Sequence, residues 1–345
     1  MGFKQLENDP CIYTLSSEGE LFIVAIYVDD IILGSKSSEQ IQDFIKRISQ
    51  RFNVKDMGKL HYFLGVKVAY PVSEKIWIGQ PTYTTDILKK FNMENSNPAA
   101  TPTENGAKLM RATKDSELFS KEVYQSAVGS LLYLSTRTRP DIAHAVGNVA
   151  RFCSQPTKQH WNAVKHIMRY LKGTSDYGLL YQKEEATNLI GYSDADWAGD
   201  LDDRKSTSGY LFKLSGAAVS WRSRKQTCVS LSTAEAEYMA LAAAAQEAVW
   251  IQRLLDDLDK ASSPPTRIYE DNQAAICMAK NPQYHGRSKH VDIKYHFVRE
   301  QVAAGTVELQ YCQSKNMVAD LLTKGLPSTQ FVRLREMLGV KRYSD

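Results

Sequence analysis

A chain of 345 residues, 43% hydrophobic and 24% charged, is long enough for two or three cores and too apolar to be broadly disordered. Its formal net charge of +4 permits a polyanionic partner without demonstrating one. No run reaches the roughly 20 apolar residues that a spanning helix needs. The start MGFKQL has Leu6 where a myristoylation signal wants Ser or Thr, and no signal-peptide organisation precedes the first strands. A membrane role is not expected, and the expected compartment is cytoplasmic or nuclear, not secreted. Cys11, Cys153, Cys228, Cys277 and Cys312 are widely spaced without a Cys-x-x-Cys pair, so free and mostly buried thiols are expected.

From Leu21, LFIVAIYVDDIILGS reads as strand, acidic turn and strand, followed by a helical stretch over 39–52 with apolar Ile41, Phe44, Ile45 and Ile48. HYFLGVKVAY and KIWIGQ are β-rich, and YTTDILKKF is helical. SNPAATPTENGAK has the Pro, Asn and Gly content of a linker, which puts a boundary near 95–115. Three helical patterns then fill 123–172, the second opening on Pro140 and the third stopping at Gly173. Beyond Leu189 come strands LIGYSDADW, GYLFKLS and AVSWRS, a long helix over 233–258, strand RIYED, two helical stretches, strand VELQY and a terminal helix. That order is a mixed α/β domain, and no solenoid-type repeat is present.

Four acids of this last domain stand at junctions. Asp194 ends a strand, Glu237 lies in the first turns of the long helix, Asp271 follows RIYE, and Asp320 opens a short helix. Any one of them alone is more often a helix cap or a solvated loop charge. Gathered at one sheet edge they would repel unless divalent cations lay between them, and two Mg²⁺ ions, with Mn²⁺ as an alternative, suit phosphodiester hydrolysis. Glu235 competes with Glu237, because residues two apart on a helix point to different sides. Asp196 and Asp200 read as turn residues.

SDADWAGD, STAEAEYMAL, YEDNQAA, SKHVDIKYHFVREQV and NMVADLLTK resemble, in order and spacing, the RNase H domain of copia-type (Pseudoviridae) LTR-retrotransposon Pol polyproteins. The resemblance implies an RNase H-like mixed five-stranded sheet with flanking helices, which cuts the RNA strand of RNA–DNA hybrids. It implies that Asp194 bridges two metals, that Glu237 and Asp271 complete the leaving-group metal, and that Asp320 helps hold the metal carrying the attacking water. It also favours Glu237 over Glu235. QYCQSKNMVAD lacks the loop histidine many such enzymes carry before the last aspartate. His285, His290, Asp292 and His296 fit no common zinc spacing and read as helix packing.

YVDD, with Asp29 and Asp30, resembles the metal-binding palm hairpin of reverse transcriptases, and GFKQLENDPCIY, LHYFLGVKV and YTTDILKKFNMENSNPAATP resemble the surrounding palm and thumb. The third aspartate and the fingers of such polymerases precede this hairpin, so a truncated polymerase portion, inactive alone, is expected. YQSAVGSLLYLSTRTRPDIAHAVGNVARF resembles the connection. The implied α/β and α+β multidomain organisation is a partial palm and start of thumb over 1–95, a mainly helical thumb and connection over 96–186, and the RNase H-like domain with its C-terminal helical tail over 187–345. Expected partners are an RNA–DNA hybrid and template–primer nucleic acid, with a missing N-terminal Pol segment or a second copy as further candidates and a virus-like particle as the cytoplasmic setting. Arg137, Arg139, Arg151, Lys165, His166, Arg169, Lys172, Arg204, Lys205, Arg222, Arg224 and Lys225 are candidates for phosphate contact. Trp197, Trp221 and Trp250 read as core or near-core packing. A catalytically silent, domesticated nucleic-acid-binding or assembly protein is the alternative reading.

Overall fold

The computed structural model describes the chain except for residues 1, 18–19, 184–187, 260–263, 281–288 and 344–345, and except for the side chains of 17, 259 and 289–295. It divides into two compact units, residues 1–61 with 247–264, and residues 62–246 with 265–345.

The first unit is an antiparallel sheet in sequential order, β1 (Lys4–Gln5), β2 (Ile12–Ser17), β3 (Glu20–Tyr27) and β4 (Asp30–Gly34), followed by helix α1 (Ser38–Ser49). Phe3, Phe22 and Phe44 meet with ring centroids 5.3–5.5 Å apart and seal α1 against the sheet. Tyr27 pairs with Asp30, so Val28 and Asp29 form a two-residue turn. Val28 holds φ at 53°, a left-handed conformation that costs a β-branched residue energy and that hairpins normally give to glycine or asparagine.

The second unit opens with β5 (Tyr62–Phe63), β6 (Val66–Ala69), β7 (Lys75–Gly79) and α2 (Pro81–Lys90). Helices α3 (Lys121–Arg137), α4 (Ala143–Ala150) and α5 (Lys158–Gly173) follow, then β8 (Tyr177–Gln182). Next come β9 (Ile190–Asp196), β10 (Thr207–Leu214), β11 (Ala217–Lys225), α6 (Thr233–Asp259), β12 (Thr266–Glu270), α7 (Gln273–Lys280), α8 (Lys289–Ala303), β13 (Val307–Tyr311), α9 (Ser328–Met337) and β14 (Val340–Arg342). Residues of α6 from Glu247 onward belong to the first unit. β14, β8, β7, β6 and β5 form one sheet, so segments from near residue 70, 180 and 341 are woven together. β8 and β14 are strands that hydropathy alone did not separate from their helical neighbours.

The other sheet has the order β11-β10-β9-β12-β13, antiparallel across β11, β10 and β9 and parallel across β9, β12 and β13. Central β9 is thus flanked by a hairpin on one side and parallel strands on the other, the mixed five-stranded arrangement expected. Leu131, Leu134, Val146, Ile167 and Met168 of α3–α5 share one core with Val318 and Leu322, so the three helices buttress the turn that carries Asp320. All five cysteines are free; none is buried, and Cys11 and Cys277 are exposed, contrary to the expected burial, because each lies on a partly wetted face. Among the described residues no helix is long and apolar enough to cross a membrane.

Candidate active site

Asp194 lies near the end of β9, 1% exposed, directly opposite Gly209 of β10. A Cβ at Gly209 would stand 2.7 Å from Thr323 Cγ2 and 2.8 Å from Leu322 Cβ, so the bare glycine lets the 3₁₀ turn Val318–Leu322 lie against β9 and β10. That turn delivers Asp320, and the next residue, Thr323, donates its hydroxyl proton to Asp194 Oδ2. Lys324 completes the approach, with Nζ 2.9 Å from Asp320 Oδ1 and 3.4 Å from Asp194 Oδ1.

Glu237 comes from the other side, on the second turn of α6. The helix start explains which glutamate reaches the centre. Ser232 Oγ accepts from the Glu235 backbone N–H at 3.2 Å, and the Glu235 carboxylate accepts from the Leu231 N–H at 2.7 Å. Glu235 is therefore spent on satisfying the helix N-terminus. Glu237 turns inward and is 7% exposed. Carboxylate oxygens of Asp194, Glu237 and Asp271 all lie within 4.8 Å of one another.

Electrostatics of this cluster are unfavourable without a cation. Burial, then Asp194, Glu270 and Asp271, push the Glu237 carboxyl up to about 11. Burial and Asp194 push Asp320 up to about 7, against the pull of Lys324. Burial also raises Asp194, although Lys324 and Thr323 counter it. Burial works against a charge on Lys324, but Asp194 and Asp320 outweigh it and hold the ammonium protonated. Glu237 Oε2 is buried with no hydrogen-bond partner. An orphaned carboxylate oxygen, three acids in mutual contact distance and an all-oxygen donor set fit a hard divalent cation.

Sequence reading missed three members. Glu270, fully buried, is raised well above a normal carboxylate by burial and by Asp194 and Asp271, and it accepts the Asn272 N–H at 3.2 Å. Its signal was available in the strand alternation, since Thr266, Ile268 and Glu270 share the buried face of β12. Lys324, four residues after Asp320, and Thr323 carried no comparable signal. Asp29 and Asp30 are both exposed at the hairpin tip, and among the described residues no group of three potential metal ligands forms around them. His285 lies outside the described residues, as do the side chains of His290 and Asp292; His296 is exposed.

Several basic candidates are otherwise engaged. Arg139 is 1% exposed and forks onto Asp141 at 2.9 and 2.8 Å, so burial removes it from any phosphate. Arg151 binds Asp200 at 3.2 Å, and Lys225 pairs with Asp200 and Asp203. Asp200 is a turn residue, accepting from the Asp202 and Asp203 N–H groups, whereas Asp196 is not one: it is the last residue of β9, paired with Thr207, because the strand continues past Asp194. Trp221 packs as expected, its indole donating to the Ser135 carbonyl at 2.7 Å. Trp197 and Trp250 are corrected: they are 47% and 44% exposed, because Trp197 follows β9 into an outer turn and Trp250 occupies an outward position of α6.

A mixed sheet in this order, with acids brought together beside the ends of β9 and β12, defines an RNase H-like domain. Residues 1–105 match the family described as Reverse transcriptase (RNA-dependent DNA polymerase). The Pol polyprotein from transposon TNT 1-94 of Nicotiana tabacum is 41% identical over 96% of this chain and 26% of its own length. That from transposon RE2 of Arabidopsis thaliana is 38% identical over 99% of this chain and 23% of its own. This chain belongs to the copia-type LTR-retrotransposon Pol polyprotein family. It spans about a quarter of the length of those relatives. In fold, 84% of the chain matches 36% of a foamy viral protease-reverse transcriptase solved in complex with RNA/DNA hybrid, at a TM-score of 0.51 and 13% identity.

Proposed function

We propose that the chain hydrolyses the RNA strand of RNA–DNA hybrids through Asp194, Glu237, Asp271 and Asp320. The observation that carries this reading is the convergence of Asp194, Glu237 and Asp271 within 4.8 Å on an RNase H-like sheet. These acids would hold two Mg²⁺ ions, Mn²⁺ serving as a substitute, which when bound activate a water and stabilise the oxygens that enter and leave phosphorus. The chain's own residues set up that chemistry. Thr323 fixes the orientation of the Asp194 carboxylate through its hydroxyl. Lys324 offsets part of the repulsion between Asp194 and Asp320. Glu235, by capping α6, leaves Glu237 as the helix's contribution.

In the first unit, Asp29 and Asp30 are proposed as the metal-facing pair of a polymerase palm, on the strength of an exposed acidic tip held at the unusual φ of Val28. The working organisation is palm and start of thumb to about residue 95, connection to about 186, and nuclease beyond it.

The test incubates the purified chain and Asp194→Asn with Mg²⁺ and labelled RNA–DNA hybrid, single-stranded RNA, or a primed template with nucleotides. Hybrid-specific cleavage lost in Asp194→Asn is expected. Hybrid binding without cleavage by the unaltered chain would instead favour a silent nucleic-acid-binding protein; primer extension is not expected, and its appearance would overturn the reading that the polymerase portion is inactive alone.

A further inference from the structure

Asp320 reaches the acidic cluster with a cation already beside it. The Lys324 backbone N–H donates to the Asp320 carbonyl at 3.1 Å, closing the turn so that the two side chains meet four residues apart. Asp320 Oδ2 accepts from Gln330 Nε2 at 3.3 Å. Asp320 Oδ1 is buried and accepts no aligned hydrogen bond, although Lys324 Nζ stands 2.9 Å away. The same ammonium makes its one directed bond, a long one of 3.4 Å, to Asp194 Oδ1. Lys324 therefore fills the space between one oxygen of each acid, held there by charge more than by geometry. The other half of the centre is different. Asp194, Glu237 and Asp271 bring carboxylate oxygens within 4.8 Å of one another, and Asp320 is outside that group. Among the described residues no lysine or arginine forms an ion pair with Glu237 or Asp271, whereas Asp194 and Asp320 share Lys324.

An ammonium and a hard divalent cation seek the same carboxylate oxygens, and like charges cannot share one place. Mg²⁺ holds its oxygens at about 2.0–2.1 Å, so putting it where Nζ stands draws the two carboxylates inward by about 1 Å and expels the lysine. Nothing seals Lys324 in, since its side chain is 37% exposed while that of Asp320 is 5% exposed. Its flexible four-carbon stem lets the head swing into water without moving the turn.

We propose that Lys324 is an exchangeable stand-in for the second metal ion, holding the place between Asp194 and Asp320 until a divalent cation displaces it. Filling is then ordered: the site of Asp194, Glu237 and Asp271 takes the first ion, and the site with Asp320 takes the second as Lys324 withdraws. The proposal rests on the two-ion reading above and adds to it the order of filling and the residue that sets it.

The experiment begins with the full unaltered chain. Lysines are acetylated briefly with an N-hydroxysuccinimide ester, in EDTA and along a Mn²⁺ titration whose bound ions are counted by electron paramagnetic resonance, and each position is read by mass spectrometry. Acetylation of Lys324 is expected to be slow in EDTA, to stay slow as the first ion binds, and to rise severalfold with the second. Exposed Lys315 is the reference and keeps a constant rate. This arm needs no variant. In a second arm, Lys324→Met empties the place without supplying another charge. With the vacated arrangement at about a tenth of the native population or less, the second Mn²⁺ should bind this variant about tenfold or more tightly, and the first nearly unchanged. A Lys324 that stays protected at every Mn²⁺ concentration overturns the exchange and leaves the three-acid site standing. So does a gain in Lys324→Met shared equally by both ions, which loss of a nearby charge alone would give. Failure of the unaltered chain to bind Mn²⁺ at all overturns the two-ion reading itself.

Discussion

Gly209 faces Asp194 across the β9–β10 pair, and the space a Cβ would need there is taken by Thr323 Cγ2 at 2.7 Å and Leu322 Cβ at 2.8 Å. The Leu322 contact is the demanding one, since a Cβ moves only with its backbone. Gly209→Ala is expected to push the Val318–Leu322 turn outward, separating Thr323 from Asp194 and Asp320 from the other acids. Overpacking of this kind costs about 1–3 kcal/mol. Urea unfolding should show that loss, and Mn²⁺ binding by Gly209→Ala should weaken more than by Gly305→Ala. A Cβ at Gly305 would meet nothing within 4 Å, but the residue holds a φ of 71°, so Gly305→Ala controls for backbone strain alone.

Glu235 and Glu237 are separated by a thermal melt with and without metal. In EDTA, Glu237→Gln should raise the melting temperature, because it removes a buried carboxyl whose charge is disfavoured by burial, Asp194, Glu270 and Asp271. It should also erase the stabilisation by Mg²⁺, which at 100-fold excess over Kd is worth about 2.7 kcal/mol. Glu235→Gln should do neither, losing at most about 1 kcal/mol of helix capping. A metal response that survives Glu237→Gln and vanishes in Glu235→Gln would reverse the assignment.

Much of this site was legible because its acids sit where hydropathy changes. Asp194 lies near the end of an apolar strand, and Glu237 is on the second turn of a helix whose Tyr238, Met239, Ala240 and Leu241 are all buried. What hydropathy could not carry was long-range partnership. Glu235 and Glu237 differ only in which one the preceding Ser232 and Leu231 engage, a matter of local hydrogen bonding. β8 pairs with β7 about a hundred residues earlier and with β14 about 160 later, and neither partner is implied by its own sequence. Arg139 looked like a surface cation because its burial depends on Thr174 and Tyr170, which only tertiary structure brings to it.

That buried network should be among the most sensitive points of the second unit. Arg139 grips Asp141 through two bonds, donates to the Thr174 carbonyl at 2.8 Å, and Tyr170 gives its hydroxyl proton to Asp141 at 2.6 Å. Arg139→Met leaves the carboxylate of Asp141 buried and largely uncompensated, an expected loss of about 3–5 kcal/mol. Adding Asp141→Leu to the same chain should recover part of it, since the stranded charge is then gone. Denaturant midpoints of the single and double variants check this, and a double variant as unstable as the sum of both singles would argue against the pairing.

His160 gives the second unit a dependence on pH that is separate from the carboxylates. Its Nδ1 accepts the Thr157 N–H at 3.0 Å in a capping box, which leaves the proton on Nε2 to be donated to the Met110 carbonyl at 2.9 Å. Burial depresses its pKa, and the Met110 carbonyl and Asp202 only partly oppose this. Protonation would put a second N–H against the Thr157 N–H and break the cap. The unfolded chain therefore binds the proton first: stability is full above the ordinary histidine value of about 6.5, and falls as pH drops through it toward the lower folded-state value. His160→Gln keeps an acceptor at the third helical position, where glutamine also serves a capping box, and cannot titrate. Urea midpoints measured from pH 7.5 to 5 should decline more steeply for the unaltered chain than for His160→Gln, and parallel declines would show that another group is responsible.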